Sequence, residues 1–242
     1  MKINRLIVKN YRNFKDINIS LGDVVVLIGE NNGGKSNFLK AITLPFLTDD
    51  YSSLSKNLSW LDINNEAKEK YYSYLINNQE KIKNGEIKCS DFIKEMPIVE
   101  VEVQLVPQED ELYFLKDLSY KIEDDKLVYG LRYEYKPFKC EELFETIKKI
   151  LSAETIDKDS IKKIKMNLLP VEYYNYYITV PNKGSVSYDT LKYFKYTALE
   201  AERDDFSKSR ERLGSKSLVN VLQKGLDKSE KVTVEKEYNN FF

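Results

Sequence analysis

Apolar residues near the start of the chain come in two patterns. Ile3, Leu6, Ile7 and Val8 open a strand that ends near Asn10. After a turn through Tyr11-Arg12-Asn13-Phe14, the segment Ile17-Asn18-Ile19-Ser20 alternates as a half-buried strand does. Val24-Val25-Val26-Leu27-Ile28 is instead apolar without interruption, with Gly22 shortly before it and Gly29 directly after. Such a run predicts a central strand buried on both faces. Phe38, Leu39, Ala41 and Ile42 then mark the buried stripe of a helix, and Pro45 places its end within a few residues.

Further along, Asn64 to Asn84 is polar and helix-favouring, with a modest apolar face from Tyr71, Tyr72, Leu75 and Ile76. Ile98, Val99, Val101, Val103 and Leu105 alternate with Glu100, Glu102 and Gln104, which predicts an antiparallel strand wetted on one side. Tyr120-Lys121-Ile122 and Leu127 to Tyr135 predict a hairpin turning at Glu123-Asp124-Asp125. Helical spacing returns at Leu143, Ile147, Ile150 and Leu151, and again around Ile161 to Leu169. Tyr173 to Val180 and Tyr193 to Tyr196 predict further strands. After Glu202-Arg203-Asp204-Asp205, the residues Leu218, Val219, Val221, Leu222 and Leu226 follow a helical pattern.

Composition changes this picture in three ways. The 242 residues suffice for one large domain, or one domain with an appended arm, and 42% apolar residues can form its core. Lys and Arg number 38 against 39 acidic residues, so any nucleic-acid contact must come from a local patch or a partner. With no histidine, and Cys89 and Cys140 far apart, a zinc site and a Ser-His-Asp apparatus are excluded within this polypeptide. No export signal and no membrane-length apolar run are present, so a cytoplasmic location with reduced cysteines and no membrane partner is expected.

The sharpest chemistry lies in Gly29-Glu30-Asn31-Asn32-Gly33-Gly34-Lys35-Ser36, which satisfies G-x-x-x-x-G-K-[ST]. Glycines let the backbone bend so that several N–H groups face phosphate oxygens. Lys35 supplies a point charge for the β- and γ-phosphates, Ser36 a hydroxyl for Mg²⁺, and the following helix its positive end. The expected ligands are ATP and Mg²⁺.

The stretch from Ile28 through this loop to Asn37-Phe38-Leu39-Lys40-Ala41-Ile42 closely resembles the SMC/RecF/OLD group of ABC-type ATPases, in which Asn typically follows the loop Ser/Thr. The opening Leu6-Ile7-Val8-Lys9-Asn10-Tyr11-Arg12-Asn13-Phe14 is similar to that group's first strand and its Asn-aromatic-Arg turn. The resemblance implies that Asn37, Arg12 and Asn13 lie beside the nucleotide; Arg12 and Asn13 also suit an ordinary exposed turn. It implies an α/β fold, the N-terminal lobe of an ABC-type P-loop NTPase with a flanking antiparallel sheet, over residues 1–203. The resemblance further implies that residues 204–242 start a helical dimerisation or insertion arm. Tyr196-Thr197-Ala198-Leu199-Glu200-Ala201-Glu202-Arg203-Asp204-Asp205-Phe206, with Leu213-Gly214-Ser215, looks like the OLD-family nucleases, several of which act in antiphage defence.

An ABC-type ATPase also needs a strand ending in Asp-Glu and a Ser-Gly-rich signature loop, and neither pattern is found. The expectation is therefore the N-terminal lobe of a longer, OLD-like DNA nuclease, with hydrolysis and nuclease residues elsewhere. The alternative is a non-catalytic, ATP-sensing dimerisation module of an SMC- or RecF-like complex. Gln104 or Gln108 is the candidate for the glutamine that reaches magnesium in such ATPases; each also suits a solvent-facing position. Lys162, Lys163, Lys165, Lys208, Arg210 and Arg212 suit DNA phosphates or solvated helix faces. Tyr173, Tyr174, Tyr176 and Tyr177 suit base stacking or, more simply, strand packing. The expected partners are a second copy through the C-terminal helices, and DNA through the full-length protein.

Overall fold

β1 (Lys2–Tyr11) and β2 (Phe14–Ser20) form an antiparallel hairpin in which Tyr11 pairs with Phe14, so that Arg12 and Asn13 are its two turn residues. Arg12 takes the turn with φ of 48°, as tight hairpin turns require of a residue there. In the computed structural model, residues 1–31, 33–48, 56–108, 111–123, 126–153, 156–157 and 161–196 are described. The chain divides into two units, Met1–Lys195 and Tyr196–Phe242, and the fold below is that of the first. The expected helical arm, its apolar stripe and the boundary at 203/204 lie outside the described residues.

After the glycine loop come α1 (Lys35–Thr43), β3 (Leu47–Thr48), α2 (Asn65–Lys83) and α3 (Cys89–Lys94). They are followed by β4 (Val99–Val106), α4 (Leu112–Leu115), β5 (Ser119–Glu123) and β6 (Lys126–Pro137). α5 (Cys140–Ala153), α6 (Ile161–Leu168), β7 (Tyr174–Thr179) and α7 (Tyr188–Leu191) come next, ahead of the two-residue strand β8 (Lys195–Tyr196). Six strands build one antiparallel sheet in the order β2-β1-β4-β6-β5, with β7 also on β6. The long β6 makes this possible: its first half pairs with β5 and its second half with β7.

Period-two alternation decides which face is covered. Leu6 and Val8 pair with Val103 and Val101, which pair in turn with Leu131 and Tyr133, so these side chains share one buried face. Phe38 and Ala41 of α1, Tyr71, Tyr72 and Leu75 of α2, Phe92 of α3, and Leu143, Phe144 and Ile147 of α5 are buried with them. Tyrosine hydroxyls tie the elements together: Tyr71 donates to the Leu168 carbonyl at 3.0 Å, Tyr72 to Lys165 at 2.9 Å and Tyr174 to Pro97 at 3.1 Å. Tyr174 is thus packed inside, as strand residues are, and α2 buries more aromatic surface than its polar sequence suggests.

The molecule departs from its sequence pattern in two places. The other face of β4 is not simply wet: Glu102 and Gln104 are 7% and 5% exposed. Tyr120 receives a hydrogen bond from Gln104 Nε2 at 2.8 Å and donates to Glu102 Oε1 at 2.9 Å, while Arg132 donates to Glu102 Oε2 through Nε and Nη2 at 3.1 and 2.7 Å. Gly130 lets the Tyr120 ring approach, since a Cβ there would meet that ring at 3.0 Å and the Val103 carbonyl at 2.8 Å.

Val24–Ile28, expected as a central buried strand, is neither a strand nor buried. Val24, Val26 and Ile28 are 83%, 74% and 91% exposed. An apolar run is buried on both faces only when strands flank it and helices cover it. Among the described residues β1 already has β2 and β4 as partners, and no ladder includes 24–28.

The end of α1 has an unusual fastening. Lys56 Nζ donates to the carbonyls of Thr43 at 3.2 Å, Leu44 at 2.8 Å and Phe46, at and just past the end of α1, where a helix has more carbonyls than donors; the Thr43 carbonyl also takes the Phe46 N–H at 3.1 Å. Burial pushes the Lys56 ammonium down to about 8, so it keeps its charge at neutral pH. Lys56→Met, which keeps the apolar stem and removes the donors, is expected to lower stability by about 1–2 kcal/mol. A urea unfolding midpoint equal to that of the unmodified chain would show that water serves those carbonyls as well.

Candidate functional site

The glycine loop curls around the lysine that follows it. Lys35 Nζ donates to the carbonyls of Gly29 and Glu30, both at 2.7 Å, and the Gly33 N–H closes a turn onto the Glu30 carbonyl at 3.1 Å. Gly34 stands at the start of α1 with φ of 94°, and its carbonyl accepts the first helical bond from the Phe38 N–H at 2.9 Å. That φ suits glycine because an L side chain there meets its own backbone. A second reason is local: a Cβ on Gly34 would lie 2.4 Å from Asn13 Nδ2. Ser36 follows on the exposed side of the first turn, and its hydroxyl has no hydrogen-bond partner among the described residues. Asn32 lies outside the described residues.

The hairpin turn of β1 and β2 meets this helix start. Asn37 Nδ2 donates to Asn13 Oδ1 at 2.7 Å, and Arg12 Nη1 donates to Asn37 Oδ1 at 2.7 Å. Arg12, Asn13, Gly34 and Asn37, far apart in sequence, therefore form one cluster at the mouth of the loop.

Sequence reasoning missed what lies behind Arg12. Arg12 Nε donates to Asp62 Oδ1 at 2.7 Å, and the Arg12 N–H donates to the Asp62 carbonyl at 2.7 Å. Asp62 Oδ2 accepts from the N–H and hydroxyl of Ser59 at 2.8 and 2.7 Å, a reciprocal cap on the short 3₁₀ turn Trp60–Asp62. Asn64 caps α2 by accepting from the Glu66 N–H at 2.9 Å, and its own amide donates to the Arg12 carbonyl at 2.7 Å. Burial alone would push the Asp62 carboxyl up, but the Ser59 hydrogen bonds and the Arg12 guanidinium outweigh it and hold the carboxyl below its ordinary value. The visible signal is Ser59-Trp60-Leu61-Asp62, a capping pattern just ahead of a helix. Nothing in it points to Arg12.

Gln104 is not brought to the loop. It pairs with Arg5, six positions along β1 from Tyr11, or about 20 Å at strand rise. It also faces away from the helices and is bonded to Tyr120. Gln108 lies beyond the same end of β4. Gln104 is therefore not placed to reach a magnesium ion at the loop, contrary to the sequence expectation. Among the described residues no group of three or more Cys, Asp or Glu gathers as a metal site, and no helix is long and apolar enough to cross a membrane.

Comparison with known proteins bears on this site. A family model described as an AAA ATPase domain matches residues 1–240. The DNA replication and repair protein RecF of Rickettsia canadensis is 46% identical over 43 residues, covering 17% of this chain and 12% of the relative. RecF of Bacillus cytotoxicus is 51% identical over 43 residues, with the same coverage. Endonuclease GajA of Bacillus cereus is 47% identical over 49 residues, covering 20% of this chain and 8% of the relative. These matches thus span about an eighth or less of each curated relative's length.

Proposed function

We propose, from the premise that this chain belongs to the AAA ATPase domain family, that it is the ATP- and magnesium-binding lobe of an OLD-like, nucleotide-controlled DNA nuclease of the kind used in antiphage defence. The single observation that carries the nucleotide reading is the loop that holds the Lys35 ammonium between the Gly29 and Glu30 carbonyls at the start of α1. Lys35 is placed to exchange those carbonyls for phosphate oxygens, and the first N–H groups of α1 lack helical partners and suit an anion. Magnesium, when bound with the nucleotide, neutralises phosphate charge, and Ser36 is the residue that would hold it. The fit is adequate because Mg²⁺ keeps most of its waters and needs few protein ligands besides the phosphates.

Hydrolysis is assigned to residues outside this chain. Asp62, the carboxylate bonded into the cluster, has both oxygens committed to Arg12 and Ser59. The nuclease part draws on the likeness of the 196–215 stretch to OLD-family nucleases and on the short match to an endonuclease. The RecF matches favour a second reading, an ATP-sensing module of a DNA-maintenance complex. In either case a second copy is the partner proposed for the Leu218, Val219, Leu222 and Leu226 stripe, and DNA the partner of the full-length protein.

Two measurements separate these readings. Calorimetric titration of the chain with MgATP should show binding, with negligible phosphate release at saturation; no binding would sink the nucleotide reading, and rapid phosphate release the assignment of hydrolysis elsewhere. Incubation of the full-length protein with plasmid DNA should then give cleavage that responds to nucleotide. Intact plasmid under all nucleotide conditions would favour the module.

A further inference from the structure

We infer that Asp62 is the positioning residue of this site, fixing the Arg12 guanidinium, and through Asn37 the first turn of α1, in the arrangement that meets the nucleotide. This rests on the nucleotide reading above and names a residue that neither the loop motif nor the hairpin resemblance contains.

Backbone and side-chain bonds in the segment 59–64 do different work. The backbone of the hairpin turn is held without any help from the Asp62 side chain. The Asp62 carbonyl takes the Arg12 N–H at 2.7 Å, the Asn64 amide reaches the Arg12 carbonyl at 2.7 Å, and the Asn64 N–H reaches the Asn10 carbonyl at 2.8 Å. Those bonds suffice to maintain Arg12 at its φ of 48°, a region a non-glycine residue keeps only when its surroundings insist. The bond from Arg12 Nε to Asp62 Oδ1 adds nothing to that backbone. It decides only where the guanidinium points.

The carboxylate is also the right group for the task. Its Oδ2 serves Ser59 and its Oδ1 serves Arg12, so both oxygens must be acceptors. An asparagine amide offers one acceptor oxygen; with that oxygen on the two Ser59 donors, its NH2 faces the Arg12 Nε–H and cannot accept from it. The side chains of Asp62 and Arg12 are 14% and 30% exposed, so the pair sits partly out of water, where such a bond is stiff. Two of the five guanidinium N–H groups are used, on Asp62 and Asn37. The rest have no partner among the described residues and remain available to an anion. A free arginine loses much rotamer freedom when it binds phosphate, whereas this one is ordered beforehand. Asn37 inherits the order, because Arg12 takes its carbonyl and Asn13 its amide.

The test compares Asp62→Asn, Arg12→Ala, the two combined, and Ser59→Ala. MgATP affinity is read by calorimetry, stability by melting, and the Arg12 Nε–H signal by ¹⁵N–¹H spectroscopy without nucleotide. Asp62→Asn should weaken MgATP binding about tenfold, as Arg12→Ala should. The double variant should bind no more weakly than Arg12→Ala alone, because Asp62 acts through Arg12. Ser59→Ala, which removes the hydroxyl but keeps the Ser59 N–H on Asp62 Oδ2 and the Arg12 bond on Oδ1, should lower the melting temperature and leave affinity unchanged. The Nε–H signal should be protected from exchange in the unmodified chain and lose that protection in Asp62→Asn. Additive losses in the double variant, or an affinity loss in Ser59→Ala equal to that in Asp62→Asn, would overturn the inference. Should the unmodified chain bind no MgATP, the nucleotide reading fails by itself. The positioning statement then stands or falls on the Nε–H signal, and an unchanged signal in Asp62→Asn overturns it.

Discussion

Lys35→Ala is expected to weaken MgATP binding by about two orders of magnitude and to move the melting temperature by less than about 2 °C. The two effects separate because of what Lys35 touches. Among the described residues its ammonium bonds only to the Gly29 and Glu30 carbonyls, in an exposed loop where water can replace it. Its removal therefore uncovers no core and leaves no buried polar group alone. For the nucleotide the loss is larger, since the other donors of the loop are neutral backbone groups and the positive charge is Lys35. Calorimetry on both versions measures it. Equal affinities would remove the phosphate-binding assignment from the loop, and a collapse in stability would show that Lys35 serves the fold instead.

Gly34→Ala should act on both quantities at once, costing about 2–3 kcal/mol of stability and weakening MgATP binding at least tenfold. An alanine at φ of 94° carries a backbone penalty of about 1–2 kcal/mol. The added Cβ also lies 2.4 Å from Asn13 Nδ2 and 3.3 Å from its Oδ1. A short side chain can swing aside, so the clash is relieved by breaking the Asn37–Asn13 hydrogen bond rather than by moving a strand. That uncouples the hairpin turn from the helix start. Adding Asn13→Ala to Gly34→Ala separates the contributions in denaturant unfolding. The double variant should be more stable than the sum of the single losses, because the space is opened while the φ penalty stays. Strict additivity would mean that only the backbone conformation matters at Gly34.

Much of the secondary structure follows from spacing. β1, β4, β6 and α5 lie close to where alternation and helical periodicity place them. α1 begins at Lys35, where the glycine loop motif requires it. The sheet is antiparallel, as the mixed faces of its strands suggest. Shorter elements escape such reading: α3 and the 3₁₀ turn at Trp60–Asp62 are too brief for a period to show. The strand expected over Tyr193 to Tyr196 shrinks to Lys195–Tyr196.

Both departures from the sequence pattern have the same physical cause. Val24–Ile28 reads as a buried strand because five apolar residues in a row resemble one, yet burial belongs to the neighbours and not to the run. Glu102 and Gln104 read as wet because they are polar, yet Tyr120 and Arg132 cover them from positions 16 and 30 residues away in sequence. Long-range coverage leaves no mark in a local pattern.

Sequence alone marked out the glycine loop proposed to bind phosphate, since the chemistry of cradling an anion demands glycines, a lysine and a hydroxyl at adjacent positions of one segment. It also determined the strands whose two faces differ, because period-two alternation is written along the chain itself. Only the tertiary structure decided that Arg12 and Asn13 meet Asn37 and Gly34, that Asp62 stands behind Arg12, and that Gln104 lies on the far side of the sheet. Those arrangements depend on which segments fold against one another. A directional bond of 2.7 Å between residues 50 positions apart exists only once the strand pairing and the helix packing have brought its ends together.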